Sequence, residues 1–472
     1  MKTTTLRLSR VAALPAAFLA WALAAPAGAE IRGLTGTTFT LSAKVDRIVT
    51  GEGGSYLLWG YANGNARAQY PGPSLIVNQG ETITIHLTNR FPSSGTSAGQ
   101  RVSIVFPGQQ NVTATCTAGT CTQGALALEA DPRVGSLFST VSYSFVASQP
   151  GTYLYHSGTS PELQVEMGLA GAIIVRPTGW SSAAPTAYGD GRSAYDRETL
   201  FFLTEIDPRI HDTVELQGVA GLTATDYLSD YFPGYWFLNG RNAPDDLGAA
   251  QSILYPTQPY NCVPRMHPGE KLLLRVVGAG RDQHPFHHHG NHARIIARDA
   301  RLLDSGLGGG VFSGENAGPD LAHDVFTIQT VPGGTADAIF QWTGKDLGWD
   351  IYGVPHQEGP VVGAGVKATC DTPGGYDSET HEWCPDHGKA LPVSVPDLAN
   401  LTFGGYWGGS PFLGTFGSLP PGEGGNNPTY GYVHMWHSHT EKEITNFDIF
   451  PGGIMTFLIV EAPGVTIEEV IP

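Results

Sequence analysis

The 472-residue chain is poor in positive charge: 26 Lys and Arg stand against 43 Asp and Glu, for a net charge of −17. A surface of that sign repels phosphate backbones, so nucleic acid is not expected as a partner. Cysteine is scarce, with five in the chain, and no two have the CxxC spacing of a zinc site. Long apolar runs are missing beyond the N-terminus. No stretch there approaches the roughly 18 residues that a membrane helix needs, so no membrane span is expected. Segments with a convincing helical stripe are missing as well, which directs the reading toward sheets.

What is present begins with a leader. Lys2, Arg7 and Arg10 precede a short apolar run over residues 11–25, and Ala27-Gly28-Ala29 supplies small residues before a cut. This layout predicts a signal peptide over residues 1–29 and a periplasmic or extracellular protein. Its removal would take away three positive charges and no acid, deepening the net charge to −20. In an oxidising compartment Cys116 with Cys121 and Cys370 with Cys384 are expected as disulfides, each closing a short Gly-containing loop. Cys262 is left over.

Strand patterns dominate. Residues 82–87 (TITIHL) and 141–145 (VSYSF) alternate polar and apolar side chains, and residues 271–277 (KLLLRVV) are almost continuously apolar. Gly (62) and Pro (34) make up about a fifth of the chain, a level normal for turn-rich β-proteins. Gly80-Glu81 and Gly269-Glu270 each open a strand, and the runs 168–175 and 452–460 close two units in the same style. The expected fold is all-β, with two related Greek-key β-sandwiches at residues 30–178 and 198–463. A linker over 179–197, a Gly/Pro-rich insertion at about 345–430 and a tail over 464–472 complete the division. The alternative reading of the insertion is a reduced third sandwich.

Histidine carries the chemistry. Five of the nine residues from His284 to His292 are histidine, against 16 in the whole chain. On a strand, His287 and His289 share one face, about 6–7 Å apart by the strand rise, and His288 takes the other. Two imidazoles so placed can share a metal ion or serve two neighbouring ones. His437-Ser438-His439 repeats the spacing, and His156 lies in Tyr155-His156-Ser157-Gly158. Glu441 and Glu443 would join the 437/439 face if the strand ran on; a solvated charged turn is the preferred reading there.

These segments resemble the multicopper oxidases, which include laccases and metal oxidases. The run from His284 to Gly290 is similar to the family's H-P-x-H-L-H-G motif, His437-Ser438-His439 to its H-C-H motif, and Tyr155 to Gly158 with Gly168–Gly171 to its Y-H-S-H…G-L-x-G segment. Asn63-Gly64 through Pro71-Gly72-Pro73 and Gly80-Glu81 resembles the opening of the first cupredoxin domain. The resemblance implies cupredoxin domains, copper, and metal ligands at His156, His287, His289, His437 and His439, five of the cluster's eight ligand positions.

In that family one Cys and two His hold a type 1 copper that receives electrons, and the His-Cys-His strand passes them to a three-copper cluster that reduces dioxygen. Here the Cys position is Ser438 and the second type 1 His position is Glu443, leaving His284. Val105 to Gly108 stands where H-W-H-G is expected, and Gly158 replaces another ligand. A seryl hydroxyl stays protonated and is a poor copper ligand, so a blue type 1 site is expected to be absent. The five imidazoles remain enough for one or two ions. The first expectation is a copper-dependent oxidoreductase with a reduced, non-blue centre at a domain interface. His284 and Glu443 would be its proton donor or acceptor, and dioxygen or a small reductant its partner. A non-enzymatic copper-binding, storage or resistance protein and a purely structural cupredoxin scaffold are the alternatives. Two-domain relatives build the cluster between subunits, which implies a homotrimer.

Overall fold

The computed structural model describes residues 31–342 apart from 224, 227, 228 and 313–315, and then residues 432–461, 466 and 467. The leader, the 345–430 insertion with its Cys370/Cys384 pair, and nearly all of the 464–472 tail lie outside the described residues. Within them strands dominate, with helices at Pro161–Gln164 and Pro208–Gln217, so the all-β expectation holds. Among the described residues no helix is long and apolar enough to cross a membrane.

The first sandwich packs a five-stranded sheet, in the order Ser55–Asn63, Thr38–Val49, Thr82–Asn89, Thr140–Val146, Thr113–Ala118, against a four-stranded one. The latter runs Leu34–Thr35, Leu75–Asn78, Ala170–Arg176, Gly151–His156. The alternation read from the sequence sets the inward face: Ile83, Ile85 and Leu87 on one strand meet Val141, Tyr143 and Phe145 on its neighbour in one core. Cys116 and Cys121 are disulfide-bonded across the tip of this body.

The second sandwich pairs a sheet ordered Tyr235–Leu238, Arg197–Ile206, Lys271–Gly278, Thr335–Gln341, Ala293–Arg298, Arg301–Leu302 with a five-stranded sheet. This second sheet runs Arg265–Met266, Met455–Val460, Tyr432–Ser438, His284–His288, Thr327–Thr330. Phe201, Leu274, Val276, Phe286, Ile328, Trp436 and Leu458 fill the space between them. Cys262 is buried in the same core with a free thiol.

The Gly-Glu repeat marks equivalent turns. Gly80 and Gly269 have φ of 87° and 79°, a conformation that glycine adopts without Cβ strain. The following glutamates each reach back to a backbone N–H, Glu81 to Asn78 at 3.1 Å and Glu270 to His267 at 2.7 Å. Each turn then feeds a strand that runs parallel to an earlier strand of its own sandwich, Thr38–Val49 in the first and Arg197–Ile206 in the second.

The almost continuous apolar run at Lys271–Gly278 is buried on both faces, which removes the usual alternation. Leu272, Leu274 and Val276 face the second core, while Val277 meets Leu154, Ala172 and Ile174 of the first sandwich. Charge reinforces this seam. The fully buried Arg275 bonds Glu198 at 2.7 Å and the Thr152 hydroxyl at 3.1 Å, and Glu198 also pairs with Arg176. The 179–197 segment packs along the second sandwich, with Ala187 and Tyr195 against Leu273, Ile296 and Ile339.

Candidate metal centre

Strand pairing brings the two histidine motifs together. His284–His288 runs antiparallel to Tyr432–Ser438, in a register that sets His287 opposite His437. Opposite residues project to the same face, so two imidazoles separated by 150 residues in sequence become cross-strand neighbours. Their ring centroids are 5.5 Å apart. His289 and His439 lie just beyond the paired ends. His289 is 4.9 Å from His287 and 5.3 Å from His437, and His439 is 4.9 Å from His287 and stacked on His437 at 5.6 Å. One ligand nitrogen from each of His287, His289 and His437 lies within 4.8 Å of the other two.

The tautomers are set by what the rings touch. His287 Nδ1 donates to the Phe326 carbonyl at 2.6 Å and His437 Nδ1 to the Ser438 carbonyl at 2.8 Å. Since a carbonyl only accepts, both rings carry their proton on Nδ1 when neutral and turn the Nε2 lone pair inward. His437 Nε2 is 3.3 Å from His289 Nε2, a contact that one proton or one cation satisfies. Burial, aided by the neighbouring imidazoles, pushes His287 down to about 4 and His289 to about 3; burial lowers His437 as well. Neutral imidazoles are the ligating form.

His288 takes the opposite face, as the alternation requires. It is buried between Phe340 and Trp436 and accepts a hydrogen bond from the Ala293 amide at 2.9 Å. The backbone around the cluster is fixed by the Trp436 indole N–H on the His289 carbonyl at 3.0 Å and the His439 amide on the Pro285 carbonyl at 2.9 Å.

Next to the cluster is a buried polar line. His284 Nδ1 lies 3.0 Å from Glu443 Oε2 and its Nε2 lies 2.9 Å from Glu205 Oε2. The Ser438 hydroxyl donates to the same Glu443 oxygen at 2.6 Å. All four side chains are buried. Burial pulls His284 down, but hydrogen bonds and charge from Glu205 and Glu443 outweigh it, and its pKa stands at about 10. Burial pushes the Glu205 carboxyl up; the His284 hydrogen bond and charge reverse that and leave it below the ordinary carboxylate range. His284 is therefore an imidazolium donating from both nitrogens.

This corrects the solvated turn preferred for Glu441 and Glu443. The strand ends at Ser438, and the 3-10 turn Glu441–Ile444 carries Glu443 back into the protein, while Glu441 stays exposed. Sequence reasoning also missed Glu205. Its signal was an acid near the end of the mostly apolar strand Arg197–Ile206, where only a committed partner makes burial tolerable.

His156 lies apart from the group formed by His287, His289 and His437, and among the described residues it makes no ring contact with those three or His439. It ends the strand Gly151–His156, half-buried, with Nδ1 donating to the Ser157 carbonyl at 2.9 Å, the same self-capping seen at His437-Ser438. It faces a cavity of about 200 Å³ between the sandwiches that Glu162, Glu166, Glu205 and Arg281 also line. Burial raises the Glu166 carboxyl to about 8, and Tyr231 donates to it at 2.9 Å.

No family model and no curated protein matches the sequence. Solved structures do. The blue copper oxidase from Nitrosomonas europaea is 17% identical over 90% of this chain and 85% of that one, with a TM-score of 0.51. The multicopper oxidase mgLAC is 15% identical over 92% of this chain and 88% of that one, also at 0.51. The chain has the multicopper-oxidase fold.

Of the Glu205–His284–Glu443–Ser438 line, the last three residues stand at the positions that the motif resemblance assigns to electron entry. Its two carboxylates bond opposite edges of one imidazole, so they do not converge with it on a common point. Space is also short at Gly158, where the resemblance expects a ligand: a Cβ there would fall 2.7 Å from Val105 Cγ1.

Proposed function

We propose that the chain is a copper protein that binds one or two ions in a reduced, non-blue centre built on His287, His289, His437 and His439, and that it acts as an oxidoreductase. The observation that carries this is the convergence of three imidazole nitrogens within 4.8 Å, with two of the rings locked so that Nε2 faces inward. Imidazole donors of this number suit copper, and the neutral state of the rings removes proton competition at neutral pH. Bound copper would supply one-electron chemistry toward dioxygen or a small reductant. The protein's own share is to hold the rings, to leave His439 exposed on the open side, and to keep His284 protonated nearby through Glu443 and Glu205.

A second reading, non-enzymatic copper storage or delivery, is favoured by one observation: the electron-entry position is closed by a carboxylate–imidazole–carboxylate line with no thiolate. In both readings the leader directs the protein to the periplasm or the exterior. His156 joins as a fifth ligand in a homotrimer, where one subunit's His156 faces the next subunit's cluster.

Copper-reconstituted protein tests these readings by metal analysis, absorption and electron paramagnetic resonance. Bound copper with an ordinary, non-blue signal supports the centre. Aerobic oxidation of phenols or metal ions that is lost in His287→Ala/His439→Ala supports the oxidoreductase, and bound copper without turnover supports storage. Failure to retain copper, zinc or iron sinks both and leaves a structural sandwich. A monomeric mass in solution removes the shared His156 site.

A further inference from the structure

We propose that Glu205 and Glu443, acting through His284 and Ser438, are positioning residues that hold the imidazole cluster in its ligand geometry before any metal arrives. The backbone ladder reaches the outer ligands only through single bonds, the His439 amide to the Pro285 carbonyl at 2.9 Å and the His289 amide to the Met435 carbonyl at 3.3 Å. The paired register between the two ligand-bearing strands runs from His288 opposite Trp436 to Phe286 opposite Ser438, so His289 lies beyond one end and His439 beyond the other. Ladder ends fray, and the outer ligands sit where local opening costs least.

The clamp closes the His439 end from outside the ladder. One Glu443 oxygen binds both His284, the first residue of one ligand strand, and Ser438, the residue between His437 and His439 on the other, at 3.0 and 2.6 Å. From the facing sheet, Glu205 holds the opposite edge of the His284 ring at 2.9 Å. Glu205 is itself fixed by the backbone amides of Arg281 and Asp282, the latter at 2.9 Å, and by the Tyr231 hydroxyl at 3.4 Å. Four elements are thereby tied through a single buried imidazole: both ligand strands, the facing sheet and the turn Glu441–Ile444. A buried charge keeps these bonds because losing one partner strands the others without water. Polar partners behind a metal ligand commonly fix its orientation; here the partners grip the strands that carry the ligands.

The metal arm of the test rests on the copper reading, so a metal-free arm stands beside it. In apo protein, Glu443→Gln should raise amide exchange roughly tenfold or more in residues 284–289 and 432–439, with strand Thr82–Asn89 of the other sandwich unchanged. In copper competition against a chromophoric chelator, the same variant should bind roughly tenfold or more weakly although every imidazole is kept. If Glu443→Gln does not fold, Ser438→Ala removes one arm of the clamp and should shift both readouts in the same direction. Exchange that rises evenly in both sandwiches, or in neither, would overturn the positioning role and leave the line as ordinary core. Wild-type protein that binds no copper would remove the functional reading while the exchange arm still decided the clamp.

Discussion

His287 and His437 are directly opposed across one antiparallel strand pair, with ring centroids 5.5 Å apart and both Nδ1 atoms committed to backbone carbonyls. Neither ring is free to turn its Nε2 away, so the pair forms the fixed floor of the cluster. His289 and His439 extend it outward.

Replacement of either floor residue should therefore weaken copper binding more than loss of the exposed His439. His287→Ala and His437→Ala are each expected to cost at least the 10–100-fold that removal of an outer-shell partner costs. His288→Ala is the control on the same strand. It faces the core between Phe340 and Trp436, so it should lower stability by about 1–3 kcal/mol and leave copper content unchanged. Isothermal titration with Cu(II), beside urea unfolding, separates the two effects. Equal losses of copper in His287→Ala and His288→Ala would contradict the assignment of faces.

The buried imidazolium makes stability depend on pH in a definite direction. His284 moves from an ordinary value of 6.5 to about 10 in the folded protein, so its contribution is complete below about 6.5 and is lost as pH rises through 10. Glu205 is depressed, so its contribution is present above the ordinary carboxylate range and is lost as pH falls through its folded value. The pair should be worth most between these limits, on the order of 5 kcal/mol for the His284 shift. Urea unfolding from pH 6 to 11 should show a steeper alkaline decline in wild type than in His284→Gln. Parallel curves would mean that His284 is neutral in the fold.

Arg275 provides a test of the seam between sandwiches. It is fully buried, bonds Glu198 and Thr152, and lies 3.6 Å from Asp337. Arg275→Met leaves the buried Asp337 without its cation and Glu198 with Arg176 alone, and should cost about 3–5 kcal/mol. Arg47→Met, which breaks an exposed pair with Glu215, should cost under about 1 kcal/mol. Thermal unfolding compares them. A small effect at Arg275 would show that the seam is held by its apolar contacts alone.

Much of this was legible in the chain because β-periodicity and motif spacing are local. The alternation at residues 82–87 gave the inward face, and the i, i+2 histidines gave the face on which the imidazoles of the two strands meet. The parts that escaped depend on contacts distant in sequence. Glu443 looked like part of a charged surface turn because it closes the charged run Glu441-Lys442-Glu443; its burial comes from a turn that returns it to His284, 159 residues away. Glu205 had no motif around it. His156 was grouped with the other ligands by resemblance; in the single chain it lines a cavity whose walls include none of the other four histidines.

The electron-entry position should be recoverable, because its supporting contacts are in place. His284 Nδ1, the Ser438 side chain and the Glu443 side chain already converge, with Ser438 and Nδ1 bonded to the same carboxylate oxygen. Glu205 on the far nitrogen is placed like the carboxylate behind many metal-bound histidines, where it fixes the ring and raises its basicity. Ser438→Cys with Glu443→His would supply the thiolate and second imidazole of a two-His, one-Cys copper site. The double variant should acquire an intense blue absorption on adding Cu(II) that is lost in a further His284→Ala change. Ser438→Cys alone should give at most a weak band, since Glu443 still occupies the second ligand position. A colourless double variant that folds and binds copper at the imidazole cluster would mean that these side chains converge too loosely to replace the missing ligands.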